Sequence, residues 1–488
     1  QAADPEWLPL ASALQRYAGY GETLDKVAWV ATHNSFSYDG APTTHSPFEI
    51  VSNQIYSILT QLNCFGVRGI ELDPRWVEDL ESLLVCHVGD DAANDQYSAC
   101  QAASWQVCNS CGIQNYGPDD TGCSKDAPTL AATLADVAGW LDDNPTEFLF
   151  VKLDSHLDDK AELASDAIRA AFEESAVYGP SDYDEAYPTQ EALLAAGKRV
   201  AFFGREASSL VFLNSEDRKS PKDFAASRPC GGTANATAAF HRVQGVATDV
   251  EVAVAGLVLL SDASAPDMFL GASVAAQAMA CGISPTFDRI NATLAEATIW
   301  SWAEGHPDTV ADPAGDRCAY VNAADGRWRD DACSSGGDGT RRRHACRADA
   351  DRTDWTLTDA AAAFGEEAPD CGVGYTFGAP RNAAENVALR AALDAAGAET
   401  TWISYRSGSG SSGGLCWTLE AEPEHCYVDN STADATCAAL ANSDPPTAVT
   451  CNISEPLGDS TYLPPPYSPN GVVADLHRWG RLSGSNQW

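Results

Sequence analysis

The chain has 488 residues, 44% of them hydrophobic, which exceeds one ordinary domain but suits a single elaborated α/β barrel with additions. Its 69 acids against 30 bases give a net charge of −39. That balance argues against nucleic-acid binding, which needs basic patches, and against electrostatic docking on anionic lipid, which relies on Lys and Arg clusters.

Residues 1–26 predict a helical lead-in, with Leu10, Leu14 and Tyr17 at helical spacing. Lys26-Val-Ala-Trp-Val-Ala-Thr-His33-Asn34-Ser35 reads as an apolar strand ending in polar residues. Parallel α/β folds place their chemistry just past the carboxyl ends of strands. Residues 48–64 predict a helix leading into Val67-Arg-Gly-Ile-Glu71-Leu-Asp73, an apolar run that carries two carboxylates. Side chains two apart on a strand share a face, so Glu71 and Asp73 point one way and Ile70 and Leu72 the other. Two acids side by side at a buried strand end resist desolvation unless a cation lies between them, and a divalent ion with oxygen ligands fits. Taken alone, the segment also reads as an exposed edge strand with a solvated acidic face.

Leu83-Leu-Val-Cys-His87 reads as a third strand with a histidine at its end. Residues 91–127 are loop-rich and hold Cys100, Cys108, Cys111 and Cys123. Cys108-Asn-Ser-Cys111 has the spacing of a redox or zinc half-site, yet no second half-site accompanies it, and structural disulfides are expected. A helix over 129–142 precedes Glu147-Phe-Leu-Phe-Val-Lys-Leu-Asp154, a fourth strand, and a helix over 159–174 follows it. Lys198-Arg-Val-Ala-Phe-Phe-Gly-Arg205 is the fifth strand. Residues 255–261 and 298–302 are candidates for the sixth and seventh, and a helix over 383–396 leads to the eighth, Thr400-Thr-Trp-Ile-Ser-Tyr405. Strands alternating with helices imply a parallel sheet, and about eight such units with polar strand ends predict an α/β fold of the TIM-type (β/α)8 barrel kind.

Two regions break the alternation. Residues 313–350 are a cysteine- and glycine-rich insertion, and a Ser/Gly linker from about 407 opens a C-terminal extension rich in Cys and Pro. The expected organisation is therefore a barrel over 1–312, the insertion 313–350, a closing barrel segment 351–406 and the extension 407–488. Sixteen cysteines, enough for eight disulfides, fit an oxidising compartment. Acceptor sequons for glycans stand at Asn235, Asn291, Asn430 and Asn452. Gln1 reads as the residue left after signal removal, and no apolar run approaches a membrane span. A secreted, glycosylated, disulfide-rich protein is expected.

The strand-end residues His33, Asn34, Glu71, Asp73, His87 and Asp154 would face one mouth of a barrel. Two histidines, three acids and an amide suffice for acid–base chemistry around an oxygen-bound metal, whereas a zinc site would use His more heavily. Thr32-His33-Asn34-Ser35-Phe36, Arg68-Gly-Ile-Glu71-Leu-Asp73, Val85-Cys-His87 and Phe150-Val-Lys-Leu-Asp154-Ser-His156 resemble the X-region of phosphatidylinositol-specific phospholipase C, a family of TIM-like barrels. Phe377-Gly-Ala-Pro380 through Asn386 and Trp402-Ile-Ser-Tyr405 resemble its closing part, so the likeness covers residues 25–310 and 351–406. Calcium-independent bacterial members carry an arginine where this chain has Asp73, so the chain resembles the calcium-dependent branch.

That resemblance implies Ca2+ as cofactor, held by Asn34, Glu71, Asp73 and Asp154, with His33 and His87 as catalytic histidines. Which group is the general base stays open. Asp154 stands where the branch usually has the longer Glu. The implied substrate is a phospholipid or related phosphodiester, with peripheral membrane contact, although no lipid-targeting module is visible. Lys152, on the face of Asp154, and Arg205 and Arg406, read as strand-end residues, are candidate substrate contacts; His45 and His156 read as structural or rim residues. Glycerophosphodiesterases share the strand-end His and Glu-x-Asp pair, but His33-Asn-Ser35 favours the phospholipase pattern over their His-Arg-Gly.

Cys318-Ala-Tyr-Val-Asn, Gly326-Arg-Trp328-Arg-Asp330-Asp-Ala-Cys333 and Ala345-Cys346 resemble the last third of a C-type lectin-like fold. Its calcium- and sugar-binding Trp-Asn-Asp run appears here as Trp328-Arg329-Asp330, so a disulfide-stapled decoration is expected. Two functions are consistent with all of this. The first is a secreted calcium-dependent phosphodiesterase. The alternative is a non-catalytic extracellular structural or adhesive glycoprotein, built on the same barrel and capable of self-assembly.

Overall fold

The computed structural model describes residues 7–39, 41, 53–86, 126–154, 157, 160–183, 187–204, 208–213, 272–280, 282, 284–308, 317–333, 340–365, 368–408, 415–419, 425–427 and 437. Helix α1 (Trp7–Ala18) buries every residue but Arg16, as a helix that is apolar nearly all round must. After β1 (Ala31–Thr32) comes α2 (Ile58–Cys64), started by the Ser57 hydroxyl, which accepts the Thr60 N–H. The turn from α2 to β2 (Gly69–Leu72) passes through Gly66, whose φ is +66°; a Cβ there would be strained and would strike Ser12 of α1.

A hairpin of β3 (Pro74–Val77) and β4 (Ser82–Val85) follows at once. Next come α3 (Leu130–Asp143), β5 (Leu149–Leu153), α4 (Ala161–Ala171), β6 (Val177–Tyr178), α5 (Gln190–Ala195), β7 (Val200–Gly204) and β8 (Val211–Leu213). Then α6 (Ala272–Ala280), β9 (Thr286–Phe287) and α7 (Ala292–Thr298) complete the first half.

These strands form a parallel sheet in the order β6-β7-β5-β2-β1-β9, with β8 beside the far end of β7. Residue parity divides its two faces. Ile70, Leu72, Val151, Leu153, Val200 and Phe202 belong to the main core, with Leu134, Val137 and Leu141 of α3 and Ile168 of α4. The opposite face carries a separate aromatic cluster of Trp29, Phe148, Phe150, Phe203 and Phe212. Trp29 meets Phe150 edge-on at 4.8 Å, and Phe203 stacks on Phe212 at 5.2 Å. Glu71 and Lys152, in register with each other and with Phe203, fall on this second face.

The second half builds a different sheet from β10 (Arg317–Asn322), β11 (Trp328–Ala332), β12 (Arg343–Ala348), β13 (Trp355–Leu357), β14 (Tyr375–Phe377), β15 (Thr400–Gly408), β16 (Leu415–Leu419) and β17 (His425–Tyr427), with α8 (Ala383–Ala395) leading into β15. Its order is β11-β10-β15-β12-β13, with β14 on β12, β16 on β15 and β17 on β16. The region expected as an insertion therefore shares a sheet with the region expected as barrel closure and with the start of the extension.

Three strand expectations are corrected. Residues 400–405 belong to β15, which runs antiparallel to β10 and β16 rather than closing the parallel sheet. Only residues 409–414 connect β15 to β16, too few for the crossover that parallel strands require. Leu83–Val85 belong to β4, antiparallel to β3, and the short 78–81 connection again forces a hairpin. Trp302, expected in a seventh barrel strand, makes an isolated bridge to Trp328 of β11 and packs on Trp417 at 4.8 Å. Residues 255–261 lie outside the described residues, and among those described no pairing joins the two ends of the parallel sheet. The fold is α/β with a disulfide-bearing second sheet.

Cys318–Cys333 ties β10 to the end of β11, and Cys346–Cys371 anchors β12. In the stretch expected to be lectin-like, Asp330 is engaged by His306 at 2.7 Å and Arg317 at 2.6 Å, and the Trp328 indole donates to Asn386. Both side chains serve internal packing. Cys64, at the end of α2, is joined to Cys437, 373 residues later. Replacing both with Ser is expected to cost about 2–5 kcal/mol of stability, read as a lower midpoint in chemical denaturation. An unchanged midpoint would show that this cross-link adds nothing to the stability of the fold. Among the described residues, no helix is long and apolar enough to cross a membrane.

Candidate active site

Four neighbouring parallel strands each end one residue before a polar side chain: β5 before Asp154, β2 before Asp73, β1 before His33 and β9 before Asp288. Because Thr32 is in register with both Ile70 and Phe287, His33 stands level with Glu71 and Asp288. Parity then places His33, Asp288, Glu71, Asp73, Lys152 and Asp154 on one face, above the aromatic floor of Trp29, Phe150 and Phe203.

The carboxylates of Glu71, Asp73 and Asp154 offer oxygen atoms within 4.8 Å of one another. Glu71 and Asp73 are buried, Asp154 partly so. Lys152 Nζ lies 2.8 Å from Glu71 Oε1, and both side chains are withdrawn from solvent. The ammonium offsets part of the negative charge at one edge of the trio. An all-oxygen donor set of mutually repelling carboxylates fits a hard divalent cation of the calcium or magnesium kind, so this cluster can hold a metal ion. Asn34, also buried, follows His33 at φ +43°, a left-handed conformation that Asn tolerates better than most residues.

His33 Nδ1 is 3.0 Å from Asp288 Oδ1, and Asp288 is buried. Burial opposes protonation of His33, but the Asp288 charge, then those of Glu71 and Asp73, outweigh it and push its pKa up to about 9. A carboxylate only accepts, so the Nδ1–H is held by Asp288 and Nε2 becomes the proton-carrying atom.

A buried amide frame fixes this geometry. Gln54 donates to the carbonyls of His33 (2.6 Å) and Phe287 (2.7 Å) and accepts from the Ile290 N–H, which clamps the ends of β1 and β9 together. Gln61 accepts from Thr32 Oγ1 and donates to the Ser35 carbonyl. Ser35 Oγ accepts the Glu71 N–H at 2.9 Å. Asn53 donates to Asp288 at 3.1 Å and accepts from Asn34 at 3.3 Å.

Of the residues singled out from the sequence, the fold brings together His33, Glu71, Asp73, Lys152 and Asp154, and Asn34 is linked to the His33–Asp288 pair through Asn53. Lys152 is occupied by Glu71. Arg406 is not at a strand end: it is exposed within β15, opposite Cys318 and Thr418 in the second sheet. His87, Arg205, His45, His156 and the sequons Asn235, Asn430 and Asn452 lie outside the described residues. Asn291 caps α7, its side-chain oxygen accepting the Leu294 N–H. Asp288 is the residue that sequence reading misses. Its signal is weak, because the strand before it is only Thr286–Phe287.

No protein-family model and no curated protein matches the chain. Among solved structures, the chain is similar to the phosphatidylinositol-specific phospholipase C of Listeria monocytogenes at 13% identity and a TM-score of 0.33, over 59% of this chain and 97% of that one. It is similar to a mutant of the Staphylococcus aureus phosphatidylinositol-specific phospholipase C at 13% identity and a TM-score of 0.32, over 59% and 99%. A second structure of the S. aureus enzyme gives 14% identity and a TM-score of 0.32, over 59% and 97%.

Proposed function

We propose that the chain is a secreted, calcium-dependent phosphodiesterase of the phosphatidylinositol-specific phospholipase C type, acting on a phosphoinositide or related phosphodiester. The observation that supports this best is the meeting of a partly buried His33–Asp288 pair with the Glu71–Asp73–Asp154 trio at the ends of adjacent parallel strands. The (β/α)8 closure expected from the sequence belongs to the same reading.

Asn34, Glu71, Asp73 and Asp154 would hold the ion, which when bound supplies Lewis-acid stabilisation of charge on the phosphate oxygens. His33, carrying its exchangeable proton on Nε2, is the group that takes the proton of the attacking hydroxyl or donates to the phosphate. Asp288 keeps the ring oriented and stabilises its imidazolium form. Two of the charges that hold the proton on His33 are those of Glu71 and Asp73, so neutralising them lowers His33 toward the range of a general base. In this reading His87 gives a proton to the leaving alkoxide or stabilises charge there. Lys152 keeps Glu71 in place.

The test is release of water-soluble inositol phosphate from phosphatidylinositol vesicles, with calcium and with a chelator. Calcium-dependent release is the expected result. No release, together with no hydrolysis of soluble diesters, would leave the extracellular scaffold as the better reading of the same barrel.

A further inference from the structure

Asn53 belongs to none of the strands that carry the site, yet it touches both of its halves. Its Nδ2 donates to Asp288 Oδ1 at 3.1 Å, and its Oδ1 accepts from Asn34 Nδ2 at 3.3 Å. A primary amide has a donor end and an acceptor end, and reversing it exchanges them. Asp288, already the acceptor for His33 Nδ1, offers only acceptor oxygens to a neighbour. It therefore fixes Asn53 with Nδ2 toward itself. Asn53 must then present oxygen to Asn34, and Asn34 must answer with its nitrogen. The remaining end of the Asn34 amide is the oxygen, the only end that can ligate a hard cation.

We infer that Asn53 is a positioning residue that sets the polarity of the Asn34 amide, so that Asn34 offers Oδ1 to a divalent cation at the Glu71–Asp73–Asp154 trio. The polarity originates at Asp288 and passes through two amides. The acid–base pair and the metal site are thus coupled through hydrogen-bond direction, with no shared ligand. This inference rests on the cation-site reading above. Without Asn53 the Asn34 amide has, among the described residues, no other side chain to bias it and presents its NH2 as readily as its oxygen.

Calcium affinity of the full chain, measured by isothermal titration without substrate, tests it. Asn53→Ala is expected to weaken binding about 10–100-fold, the usual consequence of losing an outer-shell partner of a ligand. Asn53→Asp, which must share a proton with the Asp288 carboxylate beside it, keeps a donor toward Asp288 and an acceptor for Asn34, and is expected to retain the affinity that Asn53→Ala loses. In an Asn34→Asp background either end of the side chain is oxygen, so adding Asn53→Ala should change affinity by no more than about twofold, the scatter of independent sites. Unchanged affinity in Asn53→Ala, equal loss in Asn53→Ala and Asn53→Asp, or the same loss in the Asn34→Asp background would each overturn the assignment. Absence of calcium binding by the unaltered chain would overturn the cation site itself and the inference with it.

Discussion

Changing His33 to Ala is expected to lower kcat/KM on phosphatidylinositol by about 10²–10⁴-fold, the range over which a positioned acid–base group acts. The loss should lie in kcat, because the ring is needed where protons move and the trio of acids remains to bind the cation. Asp288→Asn is expected to lower kcat in the same way while leaving His33 in place. An amide does not stabilise the imidazolium, and it can present NH2 to Nδ1 and turn the ring to the wrong tautomer. Steady-state kinetics at saturating calcium, with thermal unfolding to show that both variants fold, decide the matter. Wild-type turnover in the His33 variant would remove the mechanism; normal turnover in the Asp288 variant would reduce the pair to a structural contact.

Glu147→Gln is expected to be the most destabilising single substitution considered. Two residues before β5, away from the strand ends that carry the site, Glu147 accepts from Arg16 at 2.7 Å and from Arg68 Nε at 2.8 Å, and all three side chains are nearly excluded from solvent. Arg68 also donates to the carbonyls of Leu62 and Val67 and lies over Trp140, so it cannot follow its partner out. Removing one member of a buried network leaves its cations uncompensated and costs about 3–5 kcal/mol. Burial alone would raise the Glu147 pKa; Arg16 and Arg68 outweigh it and bring it down to about 2 from an ordinary 4.5. A depressed carboxylate stabilises the fold above its unfolded pKa. This contribution is therefore whole above pH 4.5 and is lost as pH falls toward 2. Urea denaturation at pH 7 and at pH 3 should show the gap between wild type and Glu147→Gln narrowing in acid. A gap that stays constant or widens would show that the network is not held by charge.

The candidate site was legible to the extent that apolar runs announced strand ends. Val27–Thr32 and Phe148–Leu153 are long enough to read as buried strands, so His33, Asn34 and Asp154 stand out as polar residues where an apolar run stops. Glu71 and Asp73 are conspicuous because they interrupt one. Asp288 follows a strand of two residues, too short to show any period, and pairs with a histidine 255 positions earlier. Asn53, Gln54 and Gln61 look like ordinary surface amides until the fold turns them inward. Lys152 shows the other limit: parity gives its face, but not whether it reaches a phosphate or the carboxylate beside it. The same is true of residues 400–405, where alternation identifies a strand without naming its neighbours. The connection lengths 78–81 and 409–414 did carry that information, since neither could hold a crossover.

Cys64–Cys437 changes what the chain is as a covalent object. Between those two residues it is a ring, and the helix that carries Gln61, which braces the turn after His33, forms part of the closure. A single proteolytic cut anywhere in the ring opens it without releasing a fragment. The nicked molecule keeps its mass under non-reducing conditions and separates only with thiol. Scission and loss are therefore separate events, and the β1 and β5 strand ends stay tethered to each other after the first.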